Sequence, residues 1–357
     1  MYMKVLDVAI LGQGRSGYSI HGSHLLKDTD RFRVTAVVDR LPERREKANR
    51  VFGCPVYEDY TELFGKKFDL VVNALPSPFH HPVTIDLLNH GYNVLCEKPA
   101  TANPAMLDEM AAAAEKNGRM LAIFQQSRFA PYFLKIKEVI ASGVLGRLVQ
   151  IGVRYNGFSR RWDWQCIQDN IAGSLYNSGP HPVDQVLDLL GGEEVPTIFC
   201  KMDRVNTYGD AEDYCKMLMT LPGKPVVDLE VSCCDGYPAW TYKIEAEHGS
   251  LIGTHTHLDW KWYVPEDEPK RELIKESLTT PDGEPAYCSE KLTWHTDSWD
   301  YVGEKEGEDA ARGLYTTLYE HLTAGEPLKV TIPQVRRQLA VMEEAHRQNP
   351  LSRFCTR

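Results

Sequence analysis

From residue 5 to residue 125 the chain alternates short runs of adjacent apolar residues with longer stretches in which apolar positions recur every three or four residues. The runs Val5–Leu11, Arg33–Asp39, Leu70–Leu75, Asn93–Cys96 and Met120–Phe124 are rich in Val, Ile and Leu on consecutive positions, as strands covered on both faces must be. Between them Gly17–Lys27, Glu43–Phe52, Val83–His90 and Pro104–Asn117 read as helices. The last opens on Asn103-Pro104, a cap followed by proline at the first helical position, and closes at Asn117-Gly118. Regular alternation of this kind calls for right-handed crossovers and predicts a doubly wound parallel sheet.

After residue 125 the pattern changes. Arg128–Ser142 reads as an amphipathic helix ending at Gly143, and longer strand-like stretches follow: Leu148–Tyr155, Thr197–Val205, Tyr214–Leu221, Val226–Cys233, and Tyr242–Glu247 continuing through Leu251–Tyr263. Strands at this density with turns such as Leu221-Pro222-Gly223-Lys224 predict a mostly antiparallel sheet. Residues 265–303 are polar and read as a long loop or insertion, and two helices close the chain near 308–323 and 333–348. The expected architecture is α/β: an N-terminal Rossmann-type doubly wound parallel sheet over 1–125, then an α+β domain over 126–357 with a large, mostly antiparallel open sheet.

Composition narrows the class. At 357 residues, with 43% hydrophobic and 25% charged residues, the chain is long enough for two cores and is ordinarily globular. No apolar run approaches the roughly 20 residues of a membrane span. The first strand begins too early for a signal peptide's apolar core, so a cytoplasmic protein is expected. The nine cysteines show no C-x-x-C spacing, which points to buried reduced thiols rather than a disulfide framework or zinc ribbon. A net charge of -10 argues against a nucleic-acid partner.

Gly12-Gln13-Gly14-Arg15-Ser16-Gly17 has G-x-G-x-x-G spacing, follows a predicted strand and opens a predicted helix. Gly12 permits the tight turn, Gly14 lets a pyrophosphate approach the backbone, and Gly17 lets the helix pack close on the strand. The helix N-terminus adds free N–H groups and partial positive charge. Asp39 ends the next strand about 22 positions after Gly17, near the ~20 expected of the ribose-binding acid. A carboxylate there favours NAD over NADP, although Arg15 or Arg40 could hold a 2′-phosphate or stack on adenine.

Three further motifs extend the picture: Pro76-Ser77-Pro78-Phe79-His80, Glu97-Lys98-Pro99 inside Gly91–Pro99, and Asn177-Ser178-Gly179-Pro180-His181-Pro182-Val183-Asp184. With the glycine turn, they make the chain resemble, over nearly its whole length, the glucose-fructose oxidoreductase / inositol dehydrogenase / rhizopine-catabolism (Gfo/Idh/MocA) family. That resemblance implies a dinucleotide site completed by Leu75, Pro76, His80, Glu97 and Lys98. It implies that Lys98 contacts the hydroxyl being oxidised, that Pro99 often follows in a cis peptide, and that His181 shares the proton chemistry. Where the family pattern D-x-G-x-H-x-x-D begins with aspartate, this chain has Asn177, which can hydrogen-bond and orient substrate but cannot accept a proton. Asp184 could contact His181 from the following helical turn.

Substrate-facing candidates are Gln126 and Arg128, placed where the family's first interdomain segment lines the cleft, and Tyr155, Arg160, Trp162 and Trp164 from an aromatic, polar stretch. Tryptophan faces beside polar groups suit the C–H faces and hydroxyl edges of a polyol ring. Trp294, His295 and Trp299 could cap the same cleft or a neighbouring subunit. His255-x-His257 could share one strand face, but no third ligand follows at a clear spacing and no metal is expected. The sequence thus predicts an NAD-dependent oxidoreductase acting on a secondary hydroxyl or ketone of a small sugar, cyclitol or glycoside, as a homodimer or homotetramer. Two alternatives stand beside it: a glycosidase that oxidises a ring hydroxyl transiently with NAD, which would share every motif, and a non-catalytic dinucleotide-binding sensor, which Lys98 and His181 count against and Asn177 favours.

Overall fold

A computed structural model describes residues 4–355. Six strands, β1 (Leu6–Leu11), β2 (Phe32–Val38), β3 (Val56–Tyr57), β4 (Leu70–Asn73), β5 (Val94–Cys96) and β6 (Leu121–Ile123), form one parallel sheet in the order β3-β2-β1-β4-β5-β6. The order reverses between β1 and β4, so a crevice opens there at the carboxyl ends of the strands, where open α/β sheets bind ligands. β1, β4 and β5 are buried almost without interruption, which explains their unbroken apolar runs. The two-residue β3 was not among the expected strands; it is too short to leave a hydrophobic pattern.

The second sheet has eight strands: β7 (Leu148–Asn156), β8 (Thr197–Asp203), β9 (Tyr214–Thr220), β10 (Val226–Ser232), β11 (Tyr242–Ala246), β12 (Gly249–Gly253), β13 (His257–Trp262) and β14 (His295–Asp300), in the order β14-β13-β12-β11-β7-β10-β9-β8. All neighbours are antiparallel except β7 and β10. Alternate residues of β8, β9 and β10 (Ile198, Cys200, Met202; Cys215, Met217, Met219; Val227, Leu229, Val231) point to one face, where helices Pro131–Ala141 and Pro180–Leu190 cover them.

Two expectations need correction. The continuous stretch Leu251–Tyr263 is two strands, broken at Thr254–Thr256 where Thr254 N–H donates to the His257 carbonyl at 2.7 Å. The turn is built from threonines and a histidine, so turn-forming residue types did not announce it. The polar segment 265–303 is largely irregular, but its end pairs with β13 as the exposed edge strand β14.

The closing helices, Glu306–Ala324 and Ile332–Gln348, tie the two sheets together. Ala311, Leu314, Tyr315 and Leu318 pack into the core made by β1, β2 and β4. Val335 and Leu339 pack on the other face of the parallel sheet, whereas Val341, Met342 and Ala345 join the core of the second. The last segment of the chain therefore helps to fix the geometry between the sheets.

Candidate active site

At the end of β1 the backbone turns at Gly12, φ +87°, where a Cβ would lie 2.6 Å from the Ala74 carbonyl oxygen. A Cβ on Gly17 would lie 1.8 Å from the Gly12 carbonyl oxygen, so the helix starting at Arg15 can approach only because that residue is glycine. Gly14 differs: a Cβ there would meet nothing nearer than the Arg44 Nη1 at 3.9 Å, leaving open space over the turn. Asp39 sits beside it, its Oδ2 accepting from Gln13 N–H at 2.7 Å and its Oδ1 from Leu41 N–H at 2.9 Å. These residues fit a dinucleotide: an unobstructed glycine for the pyrophosphate and an aimed carboxylate for the ribose. Arg44, exposed, lies 3.5 Å from Asp39.

Across the crevice, β5 delivers Glu97 and Lys98, with the Lys98-Pro99 bond cis. Glu97 Oε1 lies 3.1 Å from His21 Nε2, and His21 Nδ1 lies 2.8 Å from the Tyr315 hydroxyl. Glu97 Oε2 accepts from the Lys98 N–H at 2.9 Å. Burial pushes this carboxyl up, but His21, Lys98 and His80 outweigh it and hold it down at about 2. His80 spans the site floor, its Nδ1 2.7 Å from the Pro99 carbonyl and its Nε2 2.8 Å from the Leu75 carbonyl. It thereby fastens the Leu75-Pro76 turn to the lysine segment.

Lys98 Nζ donates to the Asn177 carbonyl at 2.7 Å. Burial, opposed by Glu97 and helped by Arg15 and Arg161, lowers its pKa from the ordinary lysine value. His181, in the first turn of Pro180–Leu190, is lowered to about 3, first by burial, then by Lys98 and His255 against Glu97. Its Nδ1 is enclosed without a hydrogen-bond partner, as are His255 Nε2 and Gln126 Oε1. Enclosed polar atoms without partners are costly unless something else satisfies them. Asn177 carries its Nδ2 to the Gln165 carbonyl at 2.9 Å, which aims its side chain along the 161–165 loop.

The structure therefore brings Lys98, Asn177 and His181 together with Glu97, His80 and the glycine turn. Asp184 does not contact His181: it takes a bidentate pair from Arg128, 2.7 Å to each oxygen. Arg128 is correspondingly buried, with Gln334 as a further partner at 2.6 Å, and holds helix to helix rather than facing the cleft. Tyr155 is enclosed too, its hydroxyl 2.6 Å from that of Tyr132 and 3.1 Å from Gln185 Oε1. Arg160 turns outward over the Tyr208 ring. Trp162 and Trp164 stand exposed on the loop that carries Gln165. Trp299 lies away from Lys98, in a groove of about 680 Å³ with Phe129 and Arg312, and Trp294 packs edge-on to Tyr263.

His255 and His257 do not share a face. His255 stacks on Tyr132 with centroids 4.5 Å apart, whereas His257 is exposed between Asp259 and Asp300. His255 is a site-facing residue that sequence reasoning tested only as a metal ligand; its hairpin position hid it.

Two family models match. The first, described as an oxidoreductase family with an NAD-binding Rossmann fold, matches residues 6–125, and the second, the GFO/IDH/MocA C-terminal domain, matches 133–252. The chain belongs to the Gfo/Idh/MocA oxidoreductase family. It is similar to the scyllo-inositol 2-dehydrogenase (NADP(+)) IolW of Bacillus subtilis, 29% identical over 62% of this chain and 63% of that protein. It is also similar to the D-glucoside 3-dehydrogenase of Escherichia coli, 28% identical over 54% of this chain and 56% of that protein. Among solved structures, an NAD-binding protein of Listeria innocua superposes with a TM-score of 0.78 over 99% of this chain and all of the other (100%), at 22% identity. The N-terminal domain of this Gfo/Idh/MocA protein is thus an NAD-binding Rossmann domain. No helix among the described residues is long and apolar enough to cross a membrane.

Proposed function

We propose that the protein is an NAD-dependent dehydrogenase acting on a secondary hydroxyl, or the corresponding ketone, of a sugar, cyclitol or glycoside. The observation that carries this is the buried Lys98 amine at the carboxyl end of β5, lowered in pKa and set beside a neutral His181. The inositol and glucoside dehydrogenases among its relatives support the substrate class.

Bound NAD supplies the hydride acceptor. The chain's own residues do the rest. Lys98, whose lowered pKa favours the neutral amine, accepts the hydroxyl proton at Nζ, and the Asn177 carbonyl that now holds that amine keeps it aimed. His181 offers a second neutral nitrogen to a neighbouring hydroxyl. Glu97, ionised and held by His21, keeps the lysine backbone in place. Asp39, with both oxygens already committed to backbone N–H groups, favours ribose hydroxyls over a 2′-phosphate and so NAD over NADP.

Exposed Phe199, Leu218, Val226 and Ile252 on the uncovered face of the second sheet support a homo-oligomer, dimer or tetramer.

The test is NAD reduction across inositols, monosaccharides and glucosides. NADH accumulation on a sugar or cyclitol is the expected result. Release of aglycone with no net NADH would instead identify the transient-oxidation glycosidase, and dinucleotide binding with no turnover of any substrate would identify a sensor.

A further inference from the structure

Lys98 is linked to Arg161 through two intervening residues, Asn177 and Gln165. Its Nζ donates to the Asn177 carbonyl, Asn177 Nδ2 donates to the Gln165 carbonyl, and Gln165 Oε1 accepts from Arg161 Nη1. Arg161 is near enough for its charge to bear on Lys98, and its side chain remains 37% exposed, so part of the guanidinium faces open space.

The carboxylates around it are committed elsewhere. Glu97 has one oxygen on His21 and the other on the Lys98 N–H. Asp184 has both on Arg128. Glu212 accepts from Leu175 N–H and lies 3.7 Å from His346, and Asp213 accepts from the Val205, Asn206 and Thr207 amides. The carboxylate that reaches Arg161 among the described residues is Asp163, half-exposed and 3.5 Å away, a loose pair of small worth. Asn177, which meets Lys98 through its backbone carbonyl, contributes no charge. Arg161 therefore keeps a local positive charge at the candidate site of a chain whose net charge is -10.

We propose that the substrate of this site is an anionic sugar, a sugar acid such as a uronate or aldonate, whose carboxylate is received by Arg161. The inference rests on the dehydrogenase reading and adds the substrate's charge. A guanidinium binds carboxylate through two parallel N–H donors, and the exposed faces of Trp162 and Trp164 on the same loop offer a surface for the ring's C–H side.

The experiment uses the full chain with NADH and matched pairs that differ in charge: methyl glucoside against methyl glucuronide, glucitol against gluconate, glucose against glucose 6-phosphate. Binding is read from tryptophan fluorescence with NADH present, and turnover separately as NAD reduction with NAD in its place. The expected result is that a carboxylate member binds about tenfold or more tighter than its neutral partner, and that Arg161→Gln removes most of that advantage while Arg161→Lys keeps part of it. Asn177→Asp should also lower it, by returning a negative charge to the pocket. Equal or tighter binding of the neutral members, binding of no acid at all, a preference confined to the phosphate, or an acid preference unchanged in Arg161→Gln each overturns the proposal. NAD reduction by neutral sugars without acid preference leaves the dehydrogenase reading intact and removes this one. Acid binding that depends on Arg161, with no redox turnover of the acids or their ketones, does the reverse.

Discussion

Residues 12–17 and Asp39 build the cofactor end of the crevice from the ends of two adjoining strands, whereas the proposed substrate end would draw on residues 97–98, 161–165 and 177–181. At the first, backbone conformation does the work: glycines admit a close approach that a Cβ would block, and the Asp39 oxygens are already bonded. At the second, side chains from distant segments converge and leave His181 Nδ1 enclosed without a partner. The difference is between a site made by local geometry, recognisable in six consecutive letters, and one made by long-range packing.

The sharpest way to break this comparison is at Arg128, a residue expected at the substrate and found in the scaffold. Arg128→Leu leaves Asp184 buried and unpaired, and should cost about 3–5 kcal/mol in denaturant unfolding. Unchanged stability with a raised KM would return Arg128 to the substrate. Next, Lys98→Ala should lower turnover by about 100-fold or more while NADH binding stays within a small factor. Equal losses of both would mean that the lysine belongs to the cofactor end.

A smaller effect concerns His181. Its folded-state pKa, about 3, lies below the ordinary 6.5, so the unfolded chain takes up the proton first. The stability this neutral histidine preserves is full above pH 6.5 and is lost as pH falls toward 3, on the order of 2 kcal/mol by about pH 5. Thermal unfolding of ligand-free His181→Asn should therefore decline less over pH 6.5 to 5 than the parent; parallel curves would contradict its enclosure. The smallest change is at Asp39, where Ala should weaken NAD and move the NADP/NAD ratio of kcat/KM by about tenfold, with Arg44 left free to meet a 2′-phosphate. An unaltered ratio would remove Asp39 from the ribose.

The parallel sheet was legible because strands buried on both faces write continuous apolar runs, and the helix from Pro104 to Asn117 because its cap and its terminal glycine are local signals. The hairpin at Thr254–Thr256 and the edge strand β14 were not: one turns without the usual residues, the other is exposed and carries no alternation. The same limit explains His255. Its place against Tyr132 depends on the turn between two strands that carries it.

By itself, then, the sequence determined the class of cofactor site and the presence of a family lysine and histidine, because both reside in short runs whose backbone conformation or spacing carries the chemistry. Only the tertiary structure decided which polar groups are free to meet a ligand. It committed Asp184 to Arg128, Tyr155 to Tyr132 and Gln185, and Arg160 to Tyr208, and it set Arg161 near the lysine and His255 near His181. Whether a polar side chain binds inward or outward depends on which partner packing brings within about 3 Å, and that partner can lie anywhere along the chain.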